Sequence, residues 1–310
     1  MSPADPPPDS GLAVPVAPAP APAPAPDATP AGRDGERPPR TRPFALLGSE
    51  IGVLFRRWRT WAMLGALALV PILIAVAVRV TTRSSDGGPA FLAEITNNGL
   101  FVAFTALTVS IPLFLPLTIG VAAGDTIAGE ASLGTLRYLL VAPSGRLRLI
   151  LVKFVGAGAF ALAATLTVVV VGVAIGAVLF PVGPVTLLSG TQVGGWSYAG
   201  RALLLVAYVT MSMLGLTAIG LFASTLTSVP VGAMAATVVL AGASQITDAL
   251  PQLGWLHPFL FSHLWLGFGD LLRDPLSFDS FGQNAMLQGA YVLVFGALAY
   301  ARFATKDVLS

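Results

Sequence analysis

Six long stretches of the chain are almost free of charge, and ionised side chains gather at their ends and between them. A charged side chain at the centre of a bilayer costs about 2.5–3.5 kcal/mol on insertion, so uncharged runs of helical length mark where a chain can cross. They fall at about 60–79, 100–123, 150–180, 202–224, 229–248 and 282–302. The uncharged stretch 202–247 exceeds the roughly 20 residues of one crossing. It is divided by STLTSVP at 224–230, whose Ser, Thr and Pro are helix-ending signals. Pro112 and Pro116 lie inside the second run, where neighbouring helices can replace the bonds they remove. The runs are unbroken, unlike the roughly ten-residue alternation of barrel strands. The fold expected is an all-α integral membrane protein with six transmembrane helices.

Two further elements follow from the same periodicity. In PFALLGSEIGVLFRRWRTW, Phe44, Leu47, Ile51, Leu54, Phe55 and Trp58 share one helical face, with Arg56, Arg57 and Arg59 beside the membrane. Residues 44–59 therefore read as an N-terminal interfacial helix, its arginines near lipid phosphates. Between spans 5 and 6, WLHPFLFSHLWLGFGDLLRD is too apolar for a free loop and is expected to form short outer-leaflet helices.

Composition strengthens this picture. Hydrophobic residues make up 55% and charged residues 10%, with a mean hydropathy of +0.80; soluble domains carry about 25% charge. There is no cysteine, so disulfides and thiolate-bound metals are excluded. The formal net charge of +2 points to no nucleic-acid partner. Its distribution is more telling: 13 of the 17 Lys and Arg lie on the side of the termini, and Arg79, Arg83, Arg201 and Arg273 on the other. Loops rich in these residues stay inside, so both termini are expected in the cytoplasm. Residues 1–43, with APAPAPAPAP at 17–26, are Pro/Ala-rich and expected to form a disordered tail, retained because its prolines and Asp5 and Asp9 do not suit a signal peptide. The abundance of Ala, Gly, Pro and Arg against two lysines fits a high-GC bacterial genome, and hence the bacterial cell membrane.

The spans carry no interior acids, bases or histidines of the kind that ion relays need. Gly124 and Gly129 have the spacing of a phosphate loop, but Glu130 and Ala131 stand where Lys and Ser/Thr are required. Energy for uphill movement would have to come from another chain. His257 and His263, with Asp270 nearby, could be imagined around a metal. They lack the HExxH spacing, however, and a proline follows His257, so hydrogen bonding is the preferred reading and no metal or catalytic site is assigned.

One stretch interrupts the apolar chain in an ordered way: Gly124, Asp125, Ile127, Ala128, Gly129, Glu130, then Gly134, Thr135, Leu136, Leu139, Leu140, then Pro143, Arg146, Lys153 and Phe154. It resembles the cytoplasmic signature of ABC-2 type exporter permeases, in which an acid ends the second span, Glu precedes Gly-Thr-Leu, and Pro-x-x-Arg leads to the Lys of the third. The resemblance extends over 44–310 and leaves the Pro-rich tail without a counterpart.

The resemblance implies a membrane-spanning subunit that exports its substrate, powered by a separate ABC ATPase subunit. ATP and Mg would be bound by that partner, with no cofactor in this chain. It further implies a second permease subunit, identical or related, and membrane lipid around both. Asp125, Glu130, Gly134, Thr135, Leu136, Arg137, Pro143, Arg146 and Lys153 would form the coupling region. Physically, Asp125 could cap a cytoplasmic coupling helix between spans 2 and 3, with Glu130 in its first turns and Leu133, Leu136 and Leu140 on the face offered to a partner's groove. A membrane scaffold without transport activity, and an intramembrane enzyme, are the alternative functions.

Overall fold

The computed structural model describes residues 45–81, 98–134, 145–186 and 190–305. The tail 1–43 and Phe44 lie outside these, as do Thr135, Leu136, Arg137, Tyr138, Leu139, Leu140, Pro143 and the C-terminal Lys306 and Asp307.

Helix α1 (Ala45–Arg56) ends where α2 (Trp58–Thr81) begins. The corner at Arg57 is tied by Thr60, whose hydroxyl donates to Leu54 O at 2.6 Å, and by Trp61, whose indole N–H donates to Phe55 O at 2.8 Å. The next crossing is built from α3 (Phe101–Val109), a π turn (Ser110–Phe114) and α4 (Leu115–Ser132). Then follow α5 (Arg146–Leu179), α6 (Gly195–Leu226), α7 (Pro230–Asp248) and α8 (Asp279–Ala304). A two-residue ribbon, β1 (Val185–Thr186) against β2 (Gln192–Val193), precedes α6. The segment between α7 and α8 forms 3-10 turns at Pro251–Leu253, His257–Phe259 and Gly267–Leu272.

Among the described residues six helical stretches are long and apolar enough to cross a bilayer: Trp58–Thr81, Phe101–Ser132, Arg146–Leu179, Gly195–Leu226, Pro230–Asp248 and Asp279–Ala304. The chain is thus an all-α, multi-pass membrane protein.

Pro112 lies inside the π turn and Pro116 just beyond it. Pro116 has no N–H, so the carbonyl of Pro112, four residues back, loses its ordinary helical partner. Gln245 of α7 supplies it from outside, donating through Nε2 at 2.8 Å. This is the repair by a neighbouring helix that a proline in lipid requires.

Close packing depends on particular glycines. A Cβ on Gly172 would come within 2.7 Å of Ala103 Cα, and one on Gly176 within 1.9 Å of Gly99 O, so α5 and the start of α3 touch backbone to backbone. Gly232 of α7 and Gly289 of α8, by contrast, meet nothing within 4 Å. Polar groups inside the bundle are bonded to one another: Asn284 Nδ2 of α8 donates to Ser212 Oγ of α6 at 2.6 Å, and Gln288 Nε2 donates to Asn284 Oδ1 one turn back in α8 at 3.0 Å and to Phe261 O of the preceding segment at 2.8 Å.

One sequence expectation is corrected. Asp125 does not cap a new helix: α4 runs without a break through it to Ser132, leaving Asp125 in the helix interior and Glu130 near its C-terminal end. Gly134, at φ +70°, takes the chain out of α4, and Gly145, at φ +75°, brings it into α5. Both are left-handed conformations that suit glycine.

Candidate functional site

The lower turns of α4 present two carboxylates to two different cationic partners. Asp125 Oδ2 accepts from Arg57 Nη1 at 3.3 Å and from Arg59 Nη1 at 3.2 Å. Arg59 also donates to Val121 O at 3.4 Å and approaches the Met234 sulfur of α7 at 3.7 Å. One turn further, Glu130 pairs with Lys153 of α5, whose Nζ also reaches Glu50 Oε1 of α1 at 2.8 Å. Lys153 is only 4% exposed, so its charge depends on the two carboxylates rather than on water. Between the two groups lies a small cleft of about 40 Å³, lined by residues including Glu50, Arg57, Arg59, Asp125 and Lys153.

A third tie meets α4 from α6. The Ser224 hydroxyl donates to Gly124 O at 2.7 Å and accepts from Ile127 N at 3.0 Å and Ala128 N at 2.8 Å. One donor and two acceptor positions are all that a hydroxyl has, and α4 uses each of them. A side chain inserted into a helical ladder marks a point where a helix can bend. Arg146, at the start of α5, donates to Ala304 O at the end of α8. Loop ends and helix ends therefore converge at this pole of the bundle.

Of the site residues expected from sequence, the structure joins Asp125 to Arg57 and Arg59, and Glu130 to Lys153. Trp58 is 84% exposed, and among the described residues no ion pair joins Arg56 to the cluster. Gly134 shapes the exit from α4. Thr135, Leu136, Arg137 and Pro143 lie outside the described residues. Two further participants are Glu50 and Ser224. Glu50 is the one acid within residues 44–59 and shares a helical face with Leu47 and Leu54, at i−3 and i+4, which is a readable sign of an inward-facing carboxylate. Ser224 opens the turn signal STLTSVP, and nothing local in the sequence marks its bonds to α4.

At the opposite pole, Asp248 at the end of α7, rather than Asp270, stands beside the histidines. His263 Nδ1 and Asp248 Oδ1 are 2.6 Å apart, and His257 Nε2 lies 3.1 Å from Leu250 O. Asp270 accepts instead from Ser280 and lies 3.9 Å from Arg273 Nε. Arg201, read from sequence as flanking a span, is buried and donates to Leu271 O and Arg273 O, each at 2.7 Å.

No curated protein matches the chain. The family described as ABC-2 family transporter protein matches residues 44–308, the whole of the described bundle, and the chain belongs to that family of membrane permeases.

Proposed function

We propose that this chain is the membrane-spanning subunit of an exporter driven by ATP hydrolysis in a separate ABC ATPase subunit, with ATP and Mg held by that partner and both termini in the cytoplasm of a bacterium. A second permease subunit completes the pathway, and residues 1–43 serve as a solvated tether. The segment 133–144, between α4 and α5, is the contact for the ATPase.

The observation that supports this reading most directly is the placing of Asp125 and Glu130 just before that segment, each joined to a different neighbouring element. A displacement of the segment reaches α5 and α1 through Glu130, Lys153 and Glu50. It reaches the corner between α1 and α2 through Asp125 and the two arginines. Ser224 gives α4 a point of bending between the two carboxylates, at Gly124, Ile127 and Ala128. Coupling of this kind needs elements with alternative arrangements, and Lys153 between two carboxylates and Asp125 between two guanidinium groups each have more than one partner to exchange.

The test is co-expression with the ATPase encoded beside the gene, followed by purification through a tag on this chain. Co-purification is expected, with ATP hydrolysis altered by Glu130→Ala and by Gly134→Leu. Isolation of the chain without any nucleotide-binding companion would favour a scaffold.

A further inference from the structure

We propose that Asp248, His257 and His263 form a binding site for one divalent transition-metal ion of the zinc class, at the pole of the bundle opposite the Lys153 cluster. This goes beyond the transport reading and does not depend on it. A ring nitrogen from each histidine and a carboxylate oxygen of Asp248 lie within 4.8 Å of one another. Ligands of a tetrahedral zinc ion, bonded at about 2.0–2.1 Å, sit roughly 3.3 Å apart. Reaching that spacing means closing gaps of up to about 1.5 Å and opening the 2.6 Å His263–Asp248 contact, by side-chain rotation in residues that are half-buried or exposed.

The surroundings fit a ligand set better than a plain hydrogen-bonded group. The Leu250 carbonyl can only accept, so the Nε2 of His257 facing it at 3.1 Å carries the proton, and Nδ1 keeps its lone pair. A histidine held from behind by a carbonyl is the usual outer-shell arrangement of a metal ligand. The two rings lie 5.8 Å apart and are tilted by 34°, so the space between them is not closed by stacking. Among the described residues Asp248 pairs with His263 and with no arginine or lysine, which leaves its charge available to a cation. Prolines at 251 and 258 help turn the chain back so that positions 248, 257 and 263 converge.

Two imidazoles and one carboxylate favour zinc, nickel or copper over magnesium or calcium, which prefer oxygen alone. Three protein ligands leave a fourth position open. Beside it is a cleft of about 210 Å³ lined by Asp248, His263, Gln245, Ser262 and Trp265, with room for water or a small donor molecule. On binding, the ion takes the place of the proton that His263 Nδ1–H shares with Asp248, and that proton passes through water to Nε2 of the same ring, which stays a neutral imidazole. The bound ion would fasten the C-terminal end of α7 to the turns that follow it.

The experiment uses the full chain in detergent, purified through a tag without histidine, stripped with chelator and titrated with Zn²⁺ against a chromophoric competitor. One saturable zinc per chain is expected. Loss of an outer-shell partner alone costs about 10–100-fold in affinity, so His257→Gln, His263→Gln and Asp248→Asn should each weaken binding by at least about tenfold. Asp270→Asn should leave it unchanged. Zinc should raise the thermal midpoint of the unmodified chain and fail to do so for the double variant His257→Gln/His263→Gln. Fewer than one saturable zinc on the unmodified chain, which needs no variant to fold, overturns the site. So does equal binding by the double variant, which would place the ion elsewhere.

Discussion

Lys153 Nζ stands 2.8 Å from Glu50 Oε1, joining α5 to α1 across a span of 103 residues, and the same nitrogen holds Glu130 of α4. Three helices thus share one nearly buried positive charge. Removing that charge while leaving the acids should be more harmful than removing charge and acid together, because an unpaired buried carboxylate keeps its full desolvation penalty.

Lys153→Met is therefore expected to destabilise the bundle by about 3 kcal/mol, the lower end of the range for a broken buried pair. The partial exposure of Glu50 is the reason for choosing that end. Adding Glu130→Gln should restore part of the loss. Thermal unfolding in detergent of the two single variants and the double variant measures the coupling.

Ser224→Ala removes a group that serves Gly124 O, Ile127 N and Ala128 N at once. Leaving buried backbone groups without partners costs about 1–3 kcal/mol. Faster hydrogen exchange at the Ile127 and Ala128 amides, together with a lower thermal midpoint, is the expected result. Unchanged exchange would mean that α4 closes its own ladder once the hydroxyl is gone.

The six crossings were legible because the penalty for a charge in lipid acts on each residue separately and can be read along a line. What was not legible was pairing over long sequence distances. Asp125 looked like the start of a new helix because an unpaired acid at the end of a span has no reason to continue one. Its partners, Arg57 and Arg59, come from 68 and 66 residues earlier, and with them α4 extends to Ser132. Likewise Asp270 is nearer to His263 in sequence than Asp248 is, yet the turns at Pro251–Leu253 and His257–Phe259 bring Asp248 to the histidines. The buried place of Arg201 depended on the carbonyls of Leu271 and Arg273, about 70 residues later, which no local periodicity reveals.

Packing between α5 and the start of α3 yields a prediction with an internal control. Gly176→Ala would set a Cβ 1.9 Å from Gly99 O, and the backbone there has no flexible side chain to swing aside. A cost of about 1–3 kcal/mol or more is expected, as for other overpacked sites. Gly289→Ala, with nothing within 4 Å, should be neutral or slightly stabilising in α8. Comparison of the two thermal midpoints separates a packing effect from a general response to substitution in lipid-facing helices.

The last prediction concerns Gln245 and the prolines of the second crossing. Gln245 Nε2 is the side-chain donor that meets Pro112 O, a carbonyl left without its ordinary helical partner because position 116 carries no N–H. Gln245→Leu keeps the bulk and removes the donor, so it should cost about 1 kcal/mol, the net worth of one hydrogen bond plus part of an unmet acceptor. In a Pro116→Ala background, a backbone N–H returns beside the same carbonyl, and Gln245→Leu should then cost measurably less. Equal costs in the two backgrounds would mean that the glutamine acts through its packing on α4 and not through the orphaned carbonyl. A thermal double-mutant cycle on the purified chain distinguishes these outcomes, since residues sharing one partner are expected to couple by at least about 0.5 kcal/mol.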